Sequence, residues 1–198
     1  MSPRKPEQYE ALRQKSRKKI LEAAFELFAT KGYLPSSMKT IALKAGVSKG
    51  LVYNYFESKE ALLKSILQEE IKALFDQMPT PEPGQALLPV LLDIIHASFL
   101  MFRNDSHHTG LLVSLLAQPH IHGQFGAFYK DSIRKKMPEF IRLFADLGEA
   151  KPKAAAYALG ATLDGIALDW HLMGEDFPLD EVEQYLTDDL IRKYGHHE

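Results

Sequence analysis

Apolar residues recur along almost the whole chain at spacings of three and four, the period of a helix that buries one stripe. In residues 13–31 the stripe is Ile20, Ala23, Ala24, Leu27 and Phe28; it ends at Gly32, with Pro35 in the loop beyond. Ser37 stands where it can cap a short helix over 38–45, in which Ile41, Ala42 and Ala45 face inward and which Gly46 stops. Ser48 can cap a second short helix, over 49–55, with Leu51 and Val52 inside. Ser58 followed by Glu60 opens a longer one that carries Ala61, Leu62, Ser65, Ile66 and Glu69 toward Met78. The stretch PTPEPG, residues 79–84, then interrupts, because proline fixes φ and lacks an N–H. Further helices are predicted over 85–103, 107–117, 121–147, 152–173 and 179–194, punctuated by Asn104-Asp105, Pro119, Gly148, Pro152 and Pro178. No segment alternates in the manner of a strand, and no repeat or low-complexity tract interrupts the pattern, so the predicted fold class is all-α.

The proline-rich break divides the chain into a three-helix part over 1–57 with a linking helix over 58–78, and a C-terminal helical part over 79–198. Charge divides it in much the same way. Residues 1–75 hold 14 Lys+Arg and 8 Asp+Glu, whereas residues 76–198 hold 10 and 18. A basic unit beside an acidic one suits a phosphate-bearing partner for the first alone. Short helix, tight turn at Ala45-Gly46-Val47, short helix is the arrangement of a helix-turn-helix, whose second helix enters the DNA major groove. Inward positions Leu51, Val52 and Phe56 leave Lys49, Gly50, Tyr53 and Asn54 facing out. Asn pairs with adenine edges, Lys reaches guanine acceptors or phosphate, Gly50 permits close approach, and Tyr53 supplies both a ring and a hydroxyl. Ser37, Ser48 and Lys59 lie near helix N-termini, where backbone N–H groups favour a phosphate. The same spacing also describes an ordinary helix pair in which Tyr53 or Tyr55 is a half-buried core residue with a wet hydroxyl.

The run ILEAAFELFATKGYLPSSMKTIALKAGVSKGLVYNYFESKEALL, residues 20–63, resembles the N-terminal DNA-binding domain of the TetR/AcrR family of bacterial transcriptional regulators. One motif of the family stands as Ala24, Leu27, Phe28, Gly32 and Tyr33, a second as Ile41, Ala42, Ala45, Gly46, Val47 and Ser48, and a third as Tyr53, Tyr55, Phe56, Lys59 and Leu62. Val52 replaces the family's usual leucine, and Ser36-Ser37-Met38 replaces a Thr-Thr or Ser-Thr followed by valine. The resemblance covers residues 10–75 and weakens beyond. It implies a homodimer in which each N-terminal domain presents one recognition helix to half of a near-palindromic operator. It also implies DNA contacts at Ser37, Thr40, Ser48, Lys49, Gly50, Tyr53 and Asn54, with Tyr55 and Lys59 on phosphate.

The second half carries softer signals. In AAAYALGATLDGIA, residues 154–167, Gly160 and Gly165 each cost a helix about 1 kcal/mol relative to alanine, which the close approach of another helix would offset. With Val182, Tyr185, Leu186 and Leu190 of the last helix they form the expected dimer face, a four-helix bundle across a two-fold axis; the alternative is packing within the monomer. The expected ligand cavity draws on His96, Phe99, Phe102, Leu112, Leu116, Phe125, Phe128, Asp164, Leu168 and His171. Among them Asp164, Leu168 and His171 share a helical face, and the phenylalanines also suit a plain core.

With no cysteine in 198 residues, disulfides, thiolate metal sites and cysteine nucleophiles are excluded. The histidines at 107, 108, 120 and 122 lack a convergent carboxylate or thiolate set, so no metal and no cofactor is expected. No phosphate loop, H-E-x-x-H or serine elbow is present, which speaks against an enzyme. The charged N-terminus is not expected to act as a signal peptide, no stretch is expected to span a membrane, and a cytoplasmic location is expected. The expected function is a ligand-responsive transcriptional regulator, a repressor released from a palindromic operator by a small molecule. The rival is a helical adaptor with a vestigial helix-turn-helix that binds a protein partner.

Overall fold

Stripe by stripe, the expected helices form. The computed structural model describes residues 6–82, 84–104, 106–116 and 118–195, with the side chains of 6, 7, 106, 107, 122, 124 and 125 outside that description. Among the described residues every regular element is helical: α1 Pro6–Lys31, α2 Met38–Ala45, α3 Lys49–Tyr55, α4 Lys59–Asp76, α5 Leu87–Asn104, α6 Ser106–Leu116, α7 Pro119–Asp146, α8 Pro152–Met173 and α9 Leu179–Tyr194. A 3-10 turn at Gly174–Asp176 joins the last two. α2, α3, α8 and α9 keep the expected bounds. α7 instead begins at Pro119, read above as a break, because the first helical turn has no use for the N–H that proline lacks. α1 begins at Pro6 rather than 13, so that it runs well past the apolar stripe that defined it.

The chain divides into two compact units, and the division does not follow the proline-rich break. One unit runs to Ile71 and takes in Leu111–Ala127; the other consists of Lys72–Gly110 and the chain from Phe128 onward. Leu115 and Ile121 are fully buried, and between them Gln118 reaches the end of α1. Its Nε2 donates to the Phe28 carbonyl at 2.7 Å, and its Oε1 accepts from the Tyr33 N–H, also at 2.7 Å. One amide thus satisfies an orphan carbonyl and a loop N–H where α1 stops. Gly32, at φ 92° in the left-handed region, makes the turn between them.

The second unit holds two apolar clusters. Leu88, Leu91, Ile94, Leu143, Phe144 and Tyr194 form one, and Ile95, Phe99, Phe102, Leu163, Ile166 and Leu179 the other. α5 supplies both. By length and composition α5 is apolar enough to cross a membrane, which corrects the expectation that no stretch would be. Its Leu88, Val90, Leu91, Ile94, Ile95, Phe99 and Phe102 are spent on the core of this unit instead.

Candidate functional site

Three capping devices shape the helix pair α2–α3. The Ser37 hydroxyl accepts from the Thr40 N–H at 3.1 Å while the Thr40 hydroxyl accepts from the Ser37 N–H at 2.9 Å, a reciprocal capping box. Gly46, at φ 67°, ends α2 in the left-handed conformation, and its N–H donates to the Leu43 carbonyl at 3.2 Å. Ser48 then caps α3 by accepting from the Leu51 N–H at 3.1 Å. Val52 is fully buried and Phe56 nearly so, whereas Leu51 is only half-buried. This anchoring turns Lys49, Gly50, Tyr53 and Asn54 to solvent, with Tyr53 46% exposed although it is a large aromatic. The Lys49 ammonium stands 5.7 Å from the Tyr53 ring centroid, a stacking that holds both outward. Among the described residues, apart from the backbone of α3 itself and the chain neighbours, nothing lies within 4 Å of where a Cβ on Gly50 would stand, so packing does not ask for glycine there.

Two of the expected phosphate contacts have other partners. Lys59 donates to the carbonyls of Tyr33 at 2.8 Å, Leu34 at 3.2 Å and Ser36 at 3.0 Å, using all three ammonium hydrogens on the α1–α2 loop. Its charge also sits 4.3 Å from the Tyr33 ring centroid. Tyr33 in turn donates its hydroxyl to Glu60 at 3.1 Å; burial, then that bond and the neighbouring carboxylate charge, push the phenol up to about 12. Tyr55 donates its hydroxyl to the Arg13 carbonyl at 3.1 Å. Lys59 and Tyr55 therefore position α4, the loop and α1 relative to the helix pair. Sequence motifs show that these residues belong, but not what they touch: Arg13 is 42 residues from Tyr55.

A comparison of the sequence with family models finds "Bacterial regulatory proteins, tetR family" at residues 20–66, the span that folds into this helix set. Residues 20–66 are thus similar to the tetR family's DNA-binding domain. Similar proteins include the uncharacterized HTH-type transcriptional regulator YerO of Bacillus subtilis (strain 168), 35% identical over 105 residues, 52% of this chain and 35% of that protein. The HTH-type transcriptional regulator UidR of Escherichia coli (strain K12) is 26% identical over 146 residues, 70% of this chain and 71% of that one. Across its first four curated relatives the match spans only between 17% and 58% of the relative's length. Among solved structures, the regulator FadR from Bacillus subtilis in complex with stearoyl-CoA superposes with a TM-score of 0.68 at 21% identity, covering 89% of this chain and 98% of that one. That likeness is one of fold, and it extends over the C-terminal helices as well.

The expected ligand set is divided between the two units. Phe99 and Phe102 are core, their ring centroids 5.6 Å apart. His96 is exposed and pairs through Nδ1 with Glu183 of α9 at 2.7 Å. Leu112 and Leu116 are half-buried in the unit that contains α1–α3. Phe128 is half-buried in the other unit, and the Phe125 side chain lies outside the described residues. The His171 imidazole fills the space beside Gly110, where a Cβ would stand 2.0 Å from its Cε1. Asp164 and Leu168 remain open on α8. Protein crowds Asp164 even though solvent reaches it, and the lost hydration raises its carboxyl. Tyr129 of α7 is raised first by burial and then by the charge of Asp164.

The expected dimer face is also redrawn. Val182, Leu186 and Leu190 pack against the core clusters because they lie on the inner stripe of α9, the stripe that begins with buried Leu179. The outward residues of α9 include Tyr185 and Ile191. On α8, among the described residues and apart from the helix's own backbone and chain neighbours, nothing lies within 4 Å of a Cβ built on Gly160 or Gly165. Leu168 and Leu172 continue the exposed side of that helix.

Proposed function

We propose that the chain is a ligand-responsive, DNA-binding transcriptional regulator that works as a cytoplasmic homodimer and represses until a small molecule releases it. One observation carries the reading: α3, pinned by Val52 and Phe56, offers Lys49, Gly50, Tyr53 and Asn54 to solvent with no partner acid among them. A buried anchor beneath an exposed polar and aromatic surface is what a helix seated in a major groove requires. Two copies would set their recognition helices about 34–36 Å apart, one duplex turn. The glycine positions of α8, against which nothing packs among the described residues, supply the second copy's place, together with exposed Leu168, Leu172, Tyr185 and Ile191.

Effector binding belongs to the second unit in this proposal, with Asp164 beside Tyr129 as its polar contact and a donor-bearing ligand as its occupant. Stearoyl-CoA, bound by the similar FadR, enters a first effector panel as a probe. Whatever weakens DNA binding is itself bound less well on DNA, since coupling is reciprocal.

The test is a salt titration of the full-length chain on its own upstream intergenic DNA and on a scrambled duplex of equal length. Tight binding that prefers the native fragment and falls steeply with salt is expected. Equal, weak binding to the native fragment and to any duplex enriched from a random library would overturn the reading.

A further inference from the structure

Lys59 and Tyr55 spend their hydrogens on backbone carbonyls, so a DNA-binding surface at α3 must draw phosphate contacts from other residues. α1 offers one. Residues 9, 13, 17, 20 and 24 share one helical face, being three or four apart. Toward the C-terminus of α1 that face is packed: Ile20 and Ala24 are fully buried, and Arg17 pairs with Glu69 while its guanidinium lies 5.6 Å from the Phe56 ring centroid. Two turns earlier the same face carries Arg13 and Tyr9, both exposed, Tyr9 at 62%. α1 thus overhangs its own core, and the Tyr55–Arg13 hydrogen bond at 3.1 Å ties that overhang to the last residue of α3, next to outward-facing Asn54 and Tyr53.

We infer that Arg13 is a DNA phosphate contact beyond the recognition helix, and that Tyr55 is the positioning residue that holds it there. This rests on the reading of α3 as the DNA-binding helix. Arg13 makes no ion pair among the described residues, and the nearby acid Glu10 is engaged by Gln14 at 2.7 Å. A guanidinium is a planar fork that matches two phosphate oxygens at once. A helix end seated in a major groove is flanked by the sugar–phosphate backbone, so a cation tethered at the end of α3 meets phosphate rather than base edges.

The experiment uses the full chain and a duplex that the wild-type protein enriches from a random library, with affinity measured by fluorescence anisotropy over a salt series. Arg13→Gln is expected to bind about fivefold more weakly at 0.15 M salt and to lower the slope of log K against log salt by about 1, one counterion's worth. Its preference for the enriched over a scrambled duplex should not change, and its melting curve should match wild type because Arg13 is exposed. Tyr55→Phe should lower affinity and slope together, yet add nothing in the Arg13→Gln background. Wild-type affinity and slope in Arg13→Gln would overturn the assignment, as would a change in its duplex preference, which would make Arg13 a base reader. An additive loss from Tyr55→Phe with no change of slope would return Tyr55 to a direct phosphate contact and overturn its positioning role. If the wild-type chain enriches no duplex at all, the DNA-binding reading falls and takes Arg13 with it.

Discussion

Each unit contains a cluster of one tyrosine, one glutamate and one lysine, and the two clusters are wired differently. In the first unit Tyr33 donates to Glu60, and Lys59 stands over the Tyr33 ring but gives its hydrogens to three backbone carbonyls. In the second Tyr194 donates to Glu149 at 2.6 Å and Lys193 stands 5.1 Å from the Tyr194 ring centroid, but Lys193 pairs with the carboxylate itself. The Lys151 N–H adds a third bond to Glu149, at 3.1 Å. The lysine's partner decides what each cluster does. Spent on carbonyls, the charge fixes a loop and leaves Tyr33 to carry the titration, pushed up to about 12. Spent on Glu149, it joins the Tyr194 hydroxyl and the Lys151 N–H in holding that carboxyl down to about 2.

The largest effect that separates the two clusters is expected from the lysines. Lys59→Ala strands the Tyr33, Leu34 and Ser36 carbonyls, and charged hydrogen bonds of this kind put the loss of stability at about 3 kcal/mol. Lys193→Ala removes one partly exposed ion pair, worth at most about 1 kcal/mol. Thermal melts of both variants check the order, and equal destabilisation would break the comparison. Tyr53→Ala serves as the control on α3: its melt should stay within about 0.5 kcal/mol of wild type while DNA affinity falls, because its ring is exposed and its contact with Lys49 is on the surface.

Glycines give the next contrast. Gly50 of α3 and Gly165 of α8 both have open space where a Cβ would be, so alanine should favour each helix by up to about 1 kcal/mol. The proposed partners differ, DNA for one and a second copy of the chain for the other. Gly50→Ala is expected to weaken DNA binding with the dimer intact, and Gly165→Ala to weaken the dimer, as read by sedimentation against concentration. A Gly165→Ala chain that associates like wild type would remove α8 from the interface.

Much of the fold was legible because it is local. Ser37, Gly46 and Ser48 announce their caps within three residues of the N–H groups they serve, and the stripe of α1 repeats every turn. The candidate site was legible to the same depth: Tyr53 and Asn54 face out because Val52 and Phe56 face in. What periodicity does not carry is which face meets which. Phe99 and His96 sit on one amphipathic helix, but only the placement of α9 buries the first and hands the second to Glu183, 87 residues away. Leu112 and Leu116 read as cavity lining because they are apolar and follow α5; their membership of the first unit comes from long-range packing around Leu115, Gln118 and Ile121. Lys59 matched its motif, and the motif is silent on whether its ammonium points to a phosphate or to a loop.

The smallest effect is the one that reads both clusters at once, through pH. Glu149 is held down from 4.5 to about 2, so its contribution to stability is complete above pH 4.5 and is lost as the pH falls from there toward 2. Tyr33 is raised from 10.0 to about 12, so its contribution is complete below pH 10 and is lost as the pH rises from there toward 12. Glu60 is also held down in the first unit and Tyr194 pushed up in the second, but Glu149 and Tyr33 are moved furthest, so acid should loosen the second unit more and alkali the first more. The single tryptophan separates them, because Trp170 belongs to the second unit, where its Nε1 donates to the Phe102 carbonyl at 3.1 Å. Trp170 fluorescence in a urea series should lose midpoint between pH 4.5 and 2, and Glu149→Gln should flatten that loss. Helicity by circular dichroism should lose midpoint between pH 10 and 12 ahead of the fluorescence, and Tyr33→Phe should flatten that one. If instead both probes move together at each extreme, the two units unfold as one, and the wiring of the lysines has no separate readout in solution.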